Sequence, residues 1–343
     1  MNGAELAMAA YAYGEPGVKG VLRAEPEDFQ VLEIPSFTPS GEGEHLFLLV
    51  RKRGWTTDAV AGLLAKHLGV SRRQVSYAGM KDRWAVTEQW FSVQLPGRPI
   101  ELAPGELADG VTVRAVTRNL RKLRRGALAG NRFVLRVRDL EGDLSSLSQR
   151  LLWVGRYGVP NYFGEQRFGR GGDNVERSRE MFAGTFKPKG RNLRGLLLSA
   201  ARAHLFNNVL SARVADGTWK QSLDGDLMML DGRNSVFPAE AGDASLERRL
   251  LLQQIHPTGP LPGRETGMQP EGSVAMLEAG LLAQELALLQ GLQSQGVESA
   301  RRALRIRVAD LWWRFPENRV LELGFALPAG AYATSVLREL VRV

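Results

Sequence analysis

Cysteine is absent from this chain of 343 residues, which excludes disulfide stapling and thiolate zinc sites. Histidine occurs four times, at His45, His67, His204 and His256, scattered without metal-ligand spacing. No apolar run reaches the ~18 residues that a membrane span needs. Met1 to Gly20 has neither the basic head nor the continuous apolar stretch of a secretory signal. A cytoplasmic protein with no metal, no cofactor and no membrane contact is therefore expected. A Gly-x-Ser-x-Gly elbow is also missing. Gly169-Arg170-Gly171-Gly172 is followed by no Gly-Lys-Ser/Thr, so nucleotide hydrolysis has no support. Asp224-Gly225-Asp226 reads as a hairpin turn rather than a cation site.

Acid is also missing where base is dense. Between Arg114 and Arg138 the charged residues are Arg114, Arg118, Arg121, Lys122, Arg124, Arg125, Arg132, Arg136 and Arg138, with no aspartate or glutamate among them. The whole chain carries a net charge of +8, and this stretch concentrates it. Arginine's planar fork suits phosphate oxygens, so a polyanionic partner is expected; a solvated basic face is the alternative. RNA suits the stretch better than a membrane surface, because no apolar face of amphipathic-helix length accompanies it.

Apolar residues make up 44% and charged residues 24% of the chain, the balance of a globular protein long enough for about two domains. Phe29 to Ile34 and His45 to Arg51 alternate as strands do, and Thr57 or Asp58 could cap a helix through Leu68. Strands follow at Trp90 to Leu95, Val111 to Val116 and Arg132 to Val137, then a helix from about Leu144 to Tyr157. Beyond Gly158 the pattern turns largely helical, with helices at Leu193 to Val214, Asp243 to Gln254 and Ser273 to Gly291. Strand character returns at Arg305 to Phe315 and Val320 to Leu327, before a last helix from Ala331 to Val341. The class is α+β: a mostly antiparallel sheet with flanking helices over 1–157 and 305–343, and a largely helical insertion over 158–304.

The most informative segment is Tyr77 to Val93, YAGMKDRWAVTEQWFSV, where Lys81-Asp82-Arg83 sits between small apolar residues and a strand-like aromatic run. Gly79 suggests a backbone conformation closed to other residues. Lys81 and Arg83 flank Asp82 with positive charge, which favours an ionised carboxylate. A turn-closing aspartate, with Thr87 and Gln89 as ordinary strand polar groups, is the plain alternative.

GMKDRWAVTEQW resembles the active-site motif of the TruD family of tRNA pseudouridine synthases. Pro26-Glu27-Asp28-Phe29 with Val31 and Glu33, then Gly41-Glu42-Gly43-Glu44-His45, is similar to that family's N-terminal signature. GALAGNRF (126–133), NYFGEQRFG (161–169), SAARAHLFN (199–207) and LPAGAYATSVLREL (327–340) are similar to its remaining blocks, in order. The resemblance implies a discontinuous pseudouridine synthase catalytic domain with an inserted TRUD domain, and isomerisation of uridine to pseudouridine in tRNA, the family's target being position 13 in the D arm.

It further implies Asp82 as the catalytic carboxylate and Phe29, Asn131, Phe133 and Tyr332 as substrate contacts. At Tyr332 the resemblance implies a phenylalanine, so here the ring face is kept and a hydroxyl is added. Arg23, where a lysine is common, could pair with Asp82 and orient it. Whether Asp82 attacks ribose C1′, abstracts a proton to give a glycal, or attacks uracil C6 stays open. Base stacking suits aromatic side chains, and a target inside folded RNA must be extruded. Arg121, Lys122, Arg124, Arg125 and Arg167 are the expected RNA contacts, and a monomer is expected. Two rivals remain: a non-catalytic RNA-binding or RNA-folding protein on the same scaffold, and a metal-dependent nuclease, which would need more clustered acids than Glu88 supplies near Asp82.

Overall fold

The computed structural model describes residues 9–99, 102–240 and 242–343. In chain order the elements are β1 (Lys19–Leu22), β2 (Phe29–Pro35), β3 (His45–Arg53), α1 (Thr57–His67), β4 (Val75–Tyr77), β5 (Val86–Gln94), β6 (Gly105–Ala108), β7 (Val111–Asn119), β8 (Leu128–Glu141) and α2 (Leu144–Tyr157). There follow β9 (Val159–Pro160), α3 (Asn174–Phe182), α4 (Arg191–Ala215), β10 (Leu227–Leu230), β11 (Val236–Pro238), α5 (Ala244–Leu251) and β12 (Ile255–Leu261). The chain closes with α6 (Gly272–Ala283), α7 (Leu286–Ser294), β13 (Ala300–Ala303), β14 (Arg305–Ile306), β15 (Ala309–Glu317), β16 (Val320–Pro328) and α8 (Ala333–Leu337).

Two compact units result. One comprises Val18–Leu144, Ala309–Gly330 and Arg342–Val343. Its sheet runs β15-β16-β8-β2-β5-β3-β7-β6, with β1 on β8 and β4 on β5. Every pairing is antiparallel except β2 with β5. Helix α1, capped by the Thr56 hydroxyl, which accepts from the Ala59 amide, buries Val60, Ala61 and Leu64 against Leu46, Leu48 and Val50 of β3 and Phe91 and Val93 of β5. Thr56 caps the helix one residue ahead of the expected Thr57, because the Thr57 hydroxyl is committed to Gln89. One close approach that demands glycine falls at Gly130, where a Cβ would stand 2.2 Å from the Leu327 carbonyl. Gly79 needs no such allowance: it lies outside the left-handed backbone region, and a Cβ there would meet nothing nearer than 3.8 Å.

The other unit comprises Ser145–Val308 and Ala331–Val341 together with residues 9–17. These bounds differ from the expected 1–157 with 305–343 and 158–304. Arg150 on α2 supplies the reason, since its guanidinium donates to the carbonyls of Gly14, Glu15 and Glu339. That ties α2, the 9–17 segment and the final segment together. The inserted part carries helices α3 to α7, and beside them it holds the four-stranded sheet β11-β10-β12-β13 and the β14-β9 pair. The expected helix over Ser273 to Gly291 is broken into α6 and α7, which meet at 97°. At the break Glu285 turns inward, its carboxylate accepting from Arg179 and bonding His204 at 2.8 Å. The expected last helix shortens to the five residues of α8.

Candidate active site

Along β5 the residues facing α1 read Val93, Phe91, Gln89 and Thr87, so the apolar core gives way to polar groups toward the start of the strand. Across the sheet, register aligns Lys52 with Thr87, Thr87 with Val31, Val31 with Phe133 and Phe133 with Phe325. Paired residues share a face, so a buried lysine, a threonine and two phenylalanine rings form one row. The segment from Ala78 to Ala85, which carries Asp82, runs from β4 into β5 and is fixed to this face at several points.

The Lys81 amide donates to the Thr57 hydroxyl at 2.9 Å, and Thr57 donates to Gln89 Oε1. Gln89 in turn gives its amide to the Gly79 carbonyl at 3.0 Å. Lys52, only 1% exposed, donates to the backbone carbonyls of Asp82 and Trp55, each at 2.7 Å. Burial drives its pKa down from 10.5 to about 8; the Asp82 charge pulls the other way and Lys81 adds to the depression.

The cations beside Asp82 in sequence do not pair with it. The ammonium of Lys81 turns to Glu33 Oε1 at 2.7 Å, a pair almost wholly out of water, while Glu33 Oε2 accepts from the Trp90 amide. Arg83 donates to the Gly54 carbonyl at 3.0 Å. The charge that meets the Asp82 carboxylate comes instead from Arg23, with Nη1 to Oδ2 at 2.9 Å. Asp82 Oδ1 accepts from the Trp84 amide at 3.2 Å, and the carboxylate is 41% exposed.

Arg23 itself adopts the left-handed conformation, with φ of 62°, which is costly for a residue with a Cβ. Its guanidinium carbon lies 4.1 Å over the Phe29 ring. Phe29 meets Phe133 edge-on at 6.2 Å, and Phe133 packs on Phe325 at 5.4 Å. Phe29 and Phe133 are both buried. Asn131, two residues before Phe133 on the same face of β8, has a buried Oδ1 with no hydrogen-bond donor among the described residues. A buried acceptor left unsatisfied costs about 1–3 kcal/mol, which a donor on a ligand would remove.

Arg23, Phe29, Asp82, Asn131 and Phe133 thus share one unit and one side of its sheet. Tyr332 and Arg167 belong to the other unit, where the Tyr332 hydroxyl accepts from Arg167 Nη2 at 2.8 Å and Arg167 Nη1 donates to Ser199. The hydroxyl that distinguishes Tyr332 from phenylalanine is therefore employed in holding that arginine.

The basic stretch divides sharply. On the strands, Arg114 faces Glu88, Arg132 pairs with Asp310, Arg136 with Glu322 and Arg138 with Asp28. Arg118 donates to the Leu95 and Arg98 carbonyls. Those arginines are matched by groups distant in sequence, so the field expected over 114–138 contracts to the loop joining β7 and β8. There Arg121, Lys122, Arg124 and Arg125 are exposed and form no ion pair among the described residues. The loop is anchored by the Leu123 amide to Ser92 and by the Gly126 amide to the Ala78 carbonyl at 2.8 Å. Ala78 opens the Asp82 segment, so these cations stand beside it.

Lys52 is the site residue that sequence reading missed. The alternation Leu46, Leu48, Val50, Lys52 along β3 carries the signal, since it puts a lysine at an inward position. A cleft of about 870 Å³ lined by Tyr157, Lys220, Asp243 and Arg305 lies in the other unit and contains none of the expected site residues.

A sequence profile of the family described as tRNA pseudouridine synthase D (TruD) matches residues 5–175 and 173–340. A protein of Nitrosococcus oceani named tRNA pseudouridine synthase D is 47% identical over 347 residues, covering 100% of this chain and 96% of that protein. One of the same name from Methylococcus capsulatus is 46% identical over 330 residues, covering 96% and 93%. A crystal structure from Methanosarcina mazei, described as that of a candidate tRNA pseudouridine synthase D, superposes with a TM-score of 0.78 at 21% identity, covering 98% of this chain and 97% of that one. The shared architecture is the α+β fold described above.

Proposed function

The chain belongs to the tRNA pseudouridine synthase D family, and we propose that it isomerises one uridine of tRNA to pseudouridine with the Asp82 carboxylate as the group that acts on the reacting nucleotide. The family's target, position 13 of the D arm, is the uridine proposed here. The reaction breaks the bond from uracil N1 to the ribose and rejoins the base through C5, so substrate and product are isomers and no external oxidant or reductant enters the balance. It needs an anionic group at the sugar and base and a pocket that retains the detached uracil.

One observation carries this reading: the half-exposed Asp82 carboxylate is held by Arg23 beside an aromatic floor, with an unsatisfied acceptor on Asn131 close by in the sheet. In our reading Arg23 pairs with the Asp82 carboxylate and aims it. Phe29 and Phe133 bound the base site, and Asn131 Oδ1 accepts from the uracil N3–H. The target nucleotide is extruded from the tRNA to reach them, and Arg121, Lys122, Arg124 and Arg125 hold the RNA backbone. Tyr332 and Arg167 are retained as expected tRNA contacts of the other unit.

The test is mass spectrometry of carbodiimide-tagged pseudouridine in an unmodified tRNA transcript, treated in the presence of chelator. Tagging of one D-arm uridine by the wild type and not by Asp82→Ala supports the reading. Intact RNA binding without tagging favours the non-catalytic alternative, and strand scission that occurs in a parallel reaction without chelator and stops when chelator is added favours a metal-dependent nuclease.

A further inference from the structure

Trp84 stands two residues beyond Asp82 and is 54% exposed, more so than any other tryptophan or phenylalanine among the described residues. A single exposed apolar side chain is ordinary, whereas contiguous exposed apolar surface marks an interaction site. The ring is nevertheless not loose. Its indole N–H donates to the Arg23 carbonyl at 3.3 Å, and its backbone N–H donates to Asp82 Oδ1 at 3.2 Å. Arg23, in its strained left-handed conformation, therefore serves three neighbours at once: its carbonyl fixes Trp84 while its guanidinium pairs with Asp82 and covers Phe29. The exposed Met80, at 64%, extends the apolar surface of the same turn, and the unpaired cations of the 120–127 loop flank it through the Gly126 to Ala78 bond.

A fixed indole in water, beside the proposed catalytic carboxylate and bordered by exposed cations, has the makings of a single-stranded RNA platform: a ring for a base and positive charge for the backbone. Inside the site the Phe29 face is already covered by Arg23. Trp84 lies outside it, where the chain of a tRNA would continue once its uridine had entered.

We propose that Trp84 stacks on the nucleobase adjacent to the extruded uridine, filling the role of the stacking partner that base lost when the uridine left. This rests on the isomerase reading above. Trp84 is thus a positioning residue. It acts on how tightly and in what register the tRNA is held, and every base offers a face for it.

A double-mutant cycle on binding tests this, using tRNA transcripts with an abasic residue placed 5′ or 3′ of the target and the variants Trp84→Phe and Trp84→Leu. Leucine keeps an apolar side chain without a π face, and phenylalanine keeps a ring, so both variants leave the turn partly covered. Loss of a base stack is expected to weaken the dissociation constant roughly 10- to 100-fold. We expect Trp84→Leu to weaken binding of intact tRNA and raise KM with little change in single-turnover kcat, and Trp84→Phe to retain most of the affinity. With the abasic residue on one particular side, Trp84→Leu should cause little further loss. Independent, multiplying losses on both sides, or equal affinity of Trp84→Leu and wild type, would overturn the proposal. Because the readout is affinity, it reports on Trp84 even should the wild type form no pseudouridine, an outcome that would strike the isomerase reading alone.

Discussion

The buried ammonium of Lys52 holds the backbone carbonyl of Asp82 at 2.7 Å. The carboxylate of Asp82 is thereby positioned from two directions, its main chain from below by Lys52 and its side chain by Arg23. Lys52→Met should leave the turn unanchored and lower single-turnover rates by roughly tenfold or more, since small misplacements of a reacting group are expensive.

The same lysine sets a pH dependence of stability. Below about pH 8 it is charged in both folded and unfolded chains, so its burial penalty is constant. Between about 8 and 10.5 only the unfolded chain keeps the proton, so stability rises with pH. Relative to Lys52→Met, the wild type should gain about 3 kcal/mol across that window. Urea unfolding at several pH values checks this, and a constant difference between the two proteins would contradict it.

Lys81 and Glu33 form an ion pair shielded from water. Removing one partner strands the other charge, so Lys81→Met should cost about 3–5 kcal/mol of unfolding free energy. Adding Glu33→Gln should recover part of the loss, because no bare carboxylate is then left buried. Denaturant midpoints of the single and double variants decide the matter.

Arg124 and Arg125 form no ion pair among the described residues, Arg125 lying over the Tyr77 ring, whereas Arg136 is matched by Glu322. Charge reversal of the first two should weaken tRNA binding and reduce the slope of log affinity against log salt by about 1 to 2. Arg136→Gln should leave the slope unchanged. Affinity measured over a salt series separates them, and an unaltered slope for the loop variants would remove the loop from the RNA interface.

Arg23 is expected to orient Asp82, so Arg23→Ala should reduce single-turnover rates roughly 10- to 100-fold, with Arg23→Lys recovering the charge pair but not the planar contact with Phe29. Unchanged turnover for Arg23→Ala would make it a surface charge only.

Much of the sheet bearing the site was legible because its strands alternate over six or more residues, as in Phe29 to Ile34 and His45 to Arg51. The inserted sheet was not. Strand β10 is the unbroken apolar run Leu227–Leu230, and β12 contains Pro257, Gly259 and Pro260, residues that argue locally against a strand and are overridden by pairing with β10 and β13. The residues grouped around Asp82 were named by motif resemblance, but their interactions were not. Neighbours in sequence, Lys81 and Arg83, turn away to Glu33 and Gly54, and the charge comes from Arg23, 59 positions earlier in the chain. The pairing of β1 and β2 with β8, and of β2 with β5, brings those two segments together. The strand arginines misled in the same way, their partners lying on other elements of the chain.

The central claim is that Asp82 carries the chemistry while others hold the RNA. Asp82→Asn, which keeps the shape and an acceptor for the Trp84 amide, tests it by single-turnover pseudouridine formation alongside tRNA affinity. The account predicts affinity within about threefold of wild type, under 1 kcal/mol, and no detectable pseudouridine. Retained turnover at that affinity would contradict it.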